Sequence, residues 1–267
     1  CYSCTSYGLC AKRHCWLPKG EVLPMAAISI LETKDLTKIY GGLAANTDID
    51  FTLAKGKVTA LIGPNGAGKS TFVGMVSGRT AATRGRVYFE GQDISHLPAH
   101  RRIQLGLAYT FQITSVFRGL SVYANIELAA GRTLANKPSL LKEKVRTVLE
   151  RVGIADRADQ IAGELSYGHQ RILEIAMGLA QDPKLFILDE PTQGLAETEV
   201  DDFIALIRSL AGETTILLIE HNMRVVMATA DFITVLDQGM VLAEGTPEEI
   251  HKNKAVQAAY LGTTVDA

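Results

Sequence analysis

Nine consecutive residues, Gly63-Pro64-Asn65-Gly66-Ala67-Gly68-Lys69-Ser70-Thr71, satisfy the pattern G-x-x-x-x-G-K-[ST] in full. The glycines of such a loop let successive N–H groups turn inward around an anion, and the helix that follows adds the partial positive charge of its N-terminus. Lys69 has the reach for the β- and γ-phosphates of a nucleoside triphosphate, and the Ser70 hydroxyl suits Mg²⁺. A glycine-rich turn that merely joined a strand to a helix would have no use for Lys-Ser-Thr at its end. Two carboxylates, Asp189 and Glu190, close the apolar run Leu185-Phe186-Ile187-Leu188. A strand buried on both faces reads as continuously apolar, and open α/β sheets bind ligands beyond the C-terminal ends of their strands. Asp189 therefore suits a metal's ligand shell, and Glu190 can accept the proton developing on a water that attacks the γ-phosphate.

Those groups need a frame. The run Val58-Thr59-Ala60-Leu61-Ile62 ahead of the loop has the character of a buried strand, and residues 70–77 continue as a helix. Residues 28–36 and 47–53 read as strands; in the second, Ile49, Phe51 and Leu53 alternate with Asp48, Asp50 and Thr52, as in a half-buried antiparallel strand. A short strand is expected at 86–90, before Gly91. From 121 to 163 the period becomes helical, with Leu141, Val145, Val148, Leu149 and Val152 on one stripe and Gly153 ending it. A helix at 197–210, a strand at 215–219 and a hairpin pairing 232–236 with 240–243 through Asp237-Gln238-Gly239 complete the frame.

Between the loop and the acidic strand lies Leu165-Ser166-Tyr167-Gly168-His169-Gln170-Arg171. Ser166 and Gly168 precede a helix-like stretch at 170–180, so this peptide also reads as a helix N-terminus suited to an anion. With these pieces in this order, the chain resembles the ATP-binding cassette family, whose signature peptide is Leu-Ser-Gly-Gly-Gln or a near variant. The resemblance spans about residues 30–262. It implies an α/β fold: a P-loop NTPase cassette with a mainly parallel core sheet, an antiparallel β subdomain and a helical subdomain at about 113–168. It also implies ATP and Mg²⁺ as cofactors. Tyr40 falls where the family stacks an aromatic ring on adenine, Gln112 at the metal- and water-sensing glutamine, and His221 at the γ-phosphate switch. Ser70, Gln112 and Asp189 are thereby expected on Mg²⁺, and Lys69, Gln112, Glu190 and His221 in the hydrolytic machinery. In the family two cassettes pack head to tail, so Ser166 and Gly168 are expected on the ATP of a second ATPase subunit, identical or different.

Narrower features resemble the ATPases of branched-chain amino acid importers and their urea-type relatives. They are Tyr167, the stretch 111–122, the run Glu220-His221-Asn222-Met223-Arg224-Val225-Val226-Met227, and Ala243-Glu244-Gly245-Thr246-Pro247. This implies transmembrane permease subunits, indirectly a solute-binding protein, and a place at the cytoplasmic face of the inner membrane. The permease is expected near 113–122, with Phe117 and Leu120 as contacts. The alternatives are a urea- or amide-type importer and a non-catalytic, regulatory ATP-binding subunit. Two departures stand out. The family commonly has Ser-Ala-Leu-Asp after the acidic strand, whereas this chain has Gln193-Gly194-Leu195-Ala196, which puts communication across a dimer in doubt. His169 stands where the signature usually has glutamine, placing a pH-sensitive group near the partner's phosphates.

Composition excludes several other classes. In 267 residues, 27 Lys+Arg face 29 Asp+Glu for a net charge of −2, so nothing calls for a nucleic acid partner. No apolar run reaches the roughly eighteen residues that a spanning helix needs. Chromosome-maintenance ATPases would need a long heptad insertion between Gln112 and Ser166, translation-factor relatives a second cassette, and a small GTPase the tetrad Asn-Lys-x-Asp, which Asn136-Lys137-Pro138-Ser139 is not. All four cysteines, Cys1, Cys4, Cys10 and Cys15, lie in the first two dozen residues, without a second tight pair or a convincing histidine partner for zinc. Residues 1–25 are read as non-native or disordered sequence ahead of a natural start at Met25, and 26–267 as the cassette. A body free of cysteine suits a reducing compartment.

Overall fold

The computed structural model describes residues 29–110, 115–134 and 137–261. The expectations for the N-terminal segment, its cysteines and Gln112 fall outside them. In chain order the strands are β1 (Ser29–Tyr40), β2 (Leu43–Ala54), β3 (Val58–Ile62), β4 (Arg84–Phe89), β5 (Gln92–Asp93), β6 (Leu107–Tyr109), β7 (Leu185–Asp189), β8 (Thr215–Ile219), β9 (Phe232–Asp237) and β10 (Met240–Gly245). The helices are α1 (Lys69–Ser77), α2 (Ala99–Leu105), α3 (Val122–Leu134), α4 (Pro138–Arg151), α5 (Tyr167–Leu179), α6 (Glu197–Leu210), α7 (Met223–Thr229), α8 (Pro247–Lys252) and α9 (Lys254–Leu261).

Strands β3, β7 and β8 are buried at every residue, and they form the centre of a six-stranded sheet ordered β10-β9-β3-β8-β7-β6. All neighbours are parallel except the β9/β10 hairpin at one edge. Two-residue periodicity divides the side chains between the faces. Leu185, Ile187, Leu217 and Ile219 join α1 and the antiparallel sheet β2-β1-β4-β5 in one cluster. Phe186, Leu188, Ile216 and Leu218 join α5 and α6 in another. Gly178 marks the closest approach of α5, since a Cβ there would stand 2.3 Å from Phe186 Cζ. Helices α3 and α4 share a further cluster with the outer side of α5, using Val145, Val148 and Leu149 from the expected stripe. Because β3 and β7 flank β8 in parallel, the phosphate loop and the acids emerge at one sheet edge, about 10 Å apart by strand spacing.

The antiparallel strands run further than their alternation suggested. Asp35 and Asp48 have φ of 49° each, and the β1/β2 pairing slips in register around them, so bulges carry the ladder on to Tyr40 and Leu43. The closing hairpin turns through Gln238 and Gly239, both with positive φ, as a tight two-residue turn requires. Helix α5 starts at Tyr167, so the peptide 166–168 is its first turn, with Ser166 Oγ accepting the His169 N–H at 3.3 Å. The short β6 and helices α2, α7, α8 and α9 had no counterpart in the sequence reading.

Helix α6 begins with half a capping arrangement. The Glu199 carboxylate accepts the Ala196 N–H at 2.9 Å, but Ala196 has no side-chain oxygen to return to the helix. Ala196→Asn is therefore expected to stabilise the fold by about 1 kcal/mol, read as a higher urea midpoint at unchanged slope.

Candidate active site

The loop from β3 to α1 is held from outside by close backbone contacts. A Cβ on Gly63 would lie 2.2 Å from Leu236 O, and one on Gly68 2.5 Å from Asn46 Nδ2 and 2.6 Å from Ala45 O. Gly68 also has φ of 97°, so both steric room and backbone conformation demand glycine there. The turn of the closing hairpin braces the loop: Gly239 N–H donates to Ala67 O at 3.1 Å, and Thr47 N–H donates to Gly239 O at 2.8 Å. Lys69, 8% exposed, donates its ammonium to Gly63 O at 2.6 Å and Pro64 O at 3.1 Å. Burial lowers its pKa, and the fields of Glu190 and Asp189 work the other way. Residues 43–45, 65–71, 238–239 and Glu190 line one cavity of about 620 Å³.

Asp189 is 2% exposed. Its Oδ2 accepts the Tyr109 hydroxyl at 2.6 Å, while Oδ1 is buried without a hydrogen-bond partner. Burial raises its pKa, opposed by the Tyr109 hydrogen bond and reinforced by Glu190. Glu190 is half-buried and has φ of 47°, a strained conformation for a residue with a side chain. Strain of this kind, about 1–3 kcal/mol, collects at functional positions.

Three positioning residues escaped the sequence reading. Arg171, at 1% exposure, donates to the carbonyls of Asp189 (2.8 Å), Glu190 (3.2 Å) and Pro191 (3.2 Å) and pairs with Glu174. The buried Glu220 carboxylate accepts the Thr192 N–H and hydroxyl at 3.0 and 2.6 Å, and the N–H groups of His221 and Asn222 at 3.1 and 3.2 Å. Tyr109 orients Asp189 and lies under the Arg79 guanidinium, 4.1 Å from its ring centre. Burial was the missing signal: an arginine inside a helix-forming run looks like surface until the packing is known.

The other expected residues are dispersed. Tyr40 closes the β1/β2 hairpin, 49% exposed, with the Lys38 ammonium 4.9 Å from its ring centre; it does not line the cavity. His221 is exposed at the end of β8 and is likewise absent from the lining. Ser166 and Gly168 lie apart from the cavity, against the peptide that leads into α6. The Glu199 carboxylate sits over Gly168, where a Cβ would come 2.0 Å from Oε1, and the Tyr167 ring covers Gly194. Ser166 Oγ is 2.7 Å from His169 Nδ1.

The lysine held on the loop carbonyls, the buried carboxylate and the strained glutamate stand at or after the C-terminal ends of central strands of the sheet. Residues 46–193 match the family model described as ABC transporter. The chain belongs to the ABC transporter family. Residues 240–266 also match the model described as branched-chain amino acid ATP-binding cassette transporter. The chain is 38% identical over 249 residues to the high-affinity branched-chain amino acid transport ATP-binding protein BraF of Pseudomonas aeruginosa, covering 87% of this chain and 98% of BraF. It is 36% identical over 249 residues to the protein of the same description, LivG, of Escherichia coli K12, with the same coverage. A crystal structure of a nucleotide-free ATP-binding cassette from an ABC transporter superposes with a TM-score of 0.78 at 30% identity, covering 88% of this chain and 99% of that one. As a member of the family, the chain is an ATP-binding, ATP-hydrolysing cassette.

The donor set fits a hard divalent cation. Among the described residues no group of three or more His, Cys, Asp or Glu could hold a metal ion. The unpartnered Asp189 Oδ1, with the Ser70 hydroxyl at the start of α1, would hold such a cation.

A carboxylate with a raised pKa holds its proton more tightly in the folded protein than in the unfolded chain. Its favourable contribution is present below about pH 4 and is lost as pH rises through the folded value. Asp189→Asn is therefore expected to raise the Tm at pH 7 without ligand, by about 2–4 °C per kcal/mol recovered, while abolishing Mg²⁺-dependent ATPase activity. Thermal scans and phosphate release on one preparation test both halves.

Proposed function

We propose that this cassette is the ATPase of an importer for branched-chain amino acids or related polar solutes, working as a dimer beneath two permease subunits. The observation that carries the reading is the convergence of Lys69, Asp189 and Glu190: Lys69 and Glu190 line one cavity, and both acids act on Lys69 through their fields. In this reading residues 63–71 wrap the phosphates, Lys69 moves from the loop carbonyls to the β- and γ-phosphates, and Ser70, Asp189 and Gln112 hold Mg²⁺. Mg²⁺ would neutralise developing charge on the phosphates. Glu190 accepts a proton from the attacking water, and His221, at the end of β8, reads the γ-phosphate. Tyr40 offers an exposed ring for adenine.

Ser166 and the first turn of α5 face the partner's ATP in the closed dimer. The nucleotide then stabilises only the closed form, and hydrolysis releases it. The exposed Phe117 (55%) and Leu120 (38%) offer the permease an apolar contact. None of the described helices is long and apolar enough to cross a membrane. In this reading the permease attaches the cassette to the cytoplasmic face. Cargo choice lies with the permease and a solute-binding protein. The identity to BraF and LivG over nearly their full length supports the solute class.

Glu190→Gln is expected to keep Mg-ATP affinity, lose at least about 100-fold in turnover, and elute as a dimer with saturating Mg-ATP. A variant that still turns over at the normal rate, or stays monomeric both alone and beside its permease, rejects the assignment. Because Ser166 Oγ touches His169 Nδ1, His169→Gln is expected to change the rate of ATP hydrolysis by altering how Ser166 is held. A rate equal to wild type removes His169 from the mechanism.

A further inference from the structure

Glu190 follows β7 and His221 follows β8, neighbouring parallel strands whose last paired residues are Asp189 and Ile219. One more bond continues the ladder, from the Glu190 N–H to Ile219 O at 2.9 Å. The regular pairing ends there, and a side chain takes over.

That side chain is Glu220, which is fully enclosed. Its Oε1 accepts the Thr192 N–H at 3.0 Å and the Thr192 hydroxyl at 2.6 Å. Its Oε2 accepts the N–H groups of His221 at 3.1 Å and Asn222 at 3.2 Å. Thr192 lies inside the turn that starts at Glu190 and closes with the Gln193 N–H on Glu190 O at 3.2 Å. One oxygen of Glu220 thus fixes the turn carrying Glu190, and the other fixes the backbone of His221. On the far side of His221, Asn222 caps α7, its Oδ1 accepting the Arg224 N–H at 3.1 Å.

Packing does not ask for a charge here. A buried carboxylate is costly to desolvate and persists only where donors satisfy it. Four donors meet two oxygens at this point, which suits a group that only accepts. Glutamine has nearly the same shape, but its NH₂ would point at a backbone N–H whichever way it is turned. We propose that Glu220 is a positioning residue for ATP hydrolysis, setting the spacing between the proton acceptor Glu190 and the phosphate reader His221. It rests on the roles of those two residues proposed above. Its hydrogen bonds run to 192 and to 221–222, away from the loop at 63–71, so its loss acts on turnover and spares nucleotide affinity.

The test uses the full chain, with its permease subunits where turnover requires them. Glu220→Gln is expected to lower kcat at least about tenfold while the Kd for Mg-ATP stays within about twofold of wild type, because displacement by a fraction of an ångström costs rate more than binding. Thr192→Val deletes one donor and keeps the N–H; it is expected to lower kcat about three- to tenfold, and Thr192→Ser to restore it. Val225→Ala, in the apolar cluster that α7 shares with β7 and β8, reports what loosened packing does by itself. The inference is overturned if Glu220→Gln turns over at the wild-type rate, if its kcat and affinity fall together, or if Val225→Ala at an equal loss of Tm is as slow. Should Glu220→Gln not fold, the Thr192 pair decides, and equal rates for Thr192→Val and Thr192→Ser overturn the inference. Normal turnover by Glu190→Gln sinks the underlying reading instead, whereas an inactive Glu190→Gln beside a fully active Glu220→Gln sinks this inference alone.

Discussion

Arg171 is almost wholly enclosed, and its guanidinium bonds to the backbone carbonyls of Asp189, Glu190 and Pro191 while its charge is met by Glu174. A guanidinium suits the place because its planar fork serves several acceptors at once and does not lose its proton. Removing one partner of such a pair leaves an uncompensated charge in the interior, at about 3–5 kcal/mol. The consequence reaches beyond stability. Arg171 sits one turn into α5, the helix capped by Ser166, so the peptide expected to meet a second nucleotide is tied directly to the acids expected to act on the first. A shift in α5 must move the backbone of 189–191, and the reverse. Tyr167 over Gly194 and Glu199 over Gly168 add contacts between the start of α5 and the chain from 194 into α6.

The charges of the site are incompletely balanced within the chain. Burial works against the charged form of both Lys69 and Asp189, and each is only partly compensated by its neighbours. Lys69 rests on carbonyls, not on a carboxylate, and Asp189 has a bare oxygen. A magnesium-bound polyphosphate would answer both needs, with anionic oxygens for the lysine and a cation for the aspartate. The positive φ of Glu190 adds local backbone strain to the same region, and strain of this kind collects at functional positions.

Legibility followed the range of the interaction. Strands β3, β7 and β8 were readable because double-sided burial leaves an unbroken apolar run, and α6 was readable to the residue because its stripe is regular. The bulges at Asp35 and Asp48 hid the true length of β1 and β2, since each reverses the alternation that marks a strand. Strand β6, three residues long, is too short to show a period, and only its pairing with β7 makes it a strand.

By itself the sequence carried the motifs that mark the family: a lysine and hydroxyls behind a glycine-rich loop, two acids at the end of a buried strand, and a signature peptide between them. Local composition carries such information because each motif's conformation is dictated by glycine freedom, strand burial or helix-terminal charge over a few residues. Only the tertiary structure decided which groups hold those motifs in place. Arg171 beneath the acids, Glu220 clamping Thr192 to the turn after β8 and Tyr109 on Asp189 act across separations of 18, 28 and 80 residues. A side chain's partner at that range is set by how sheets and helices stack, and neighbouring residues carry no record of it.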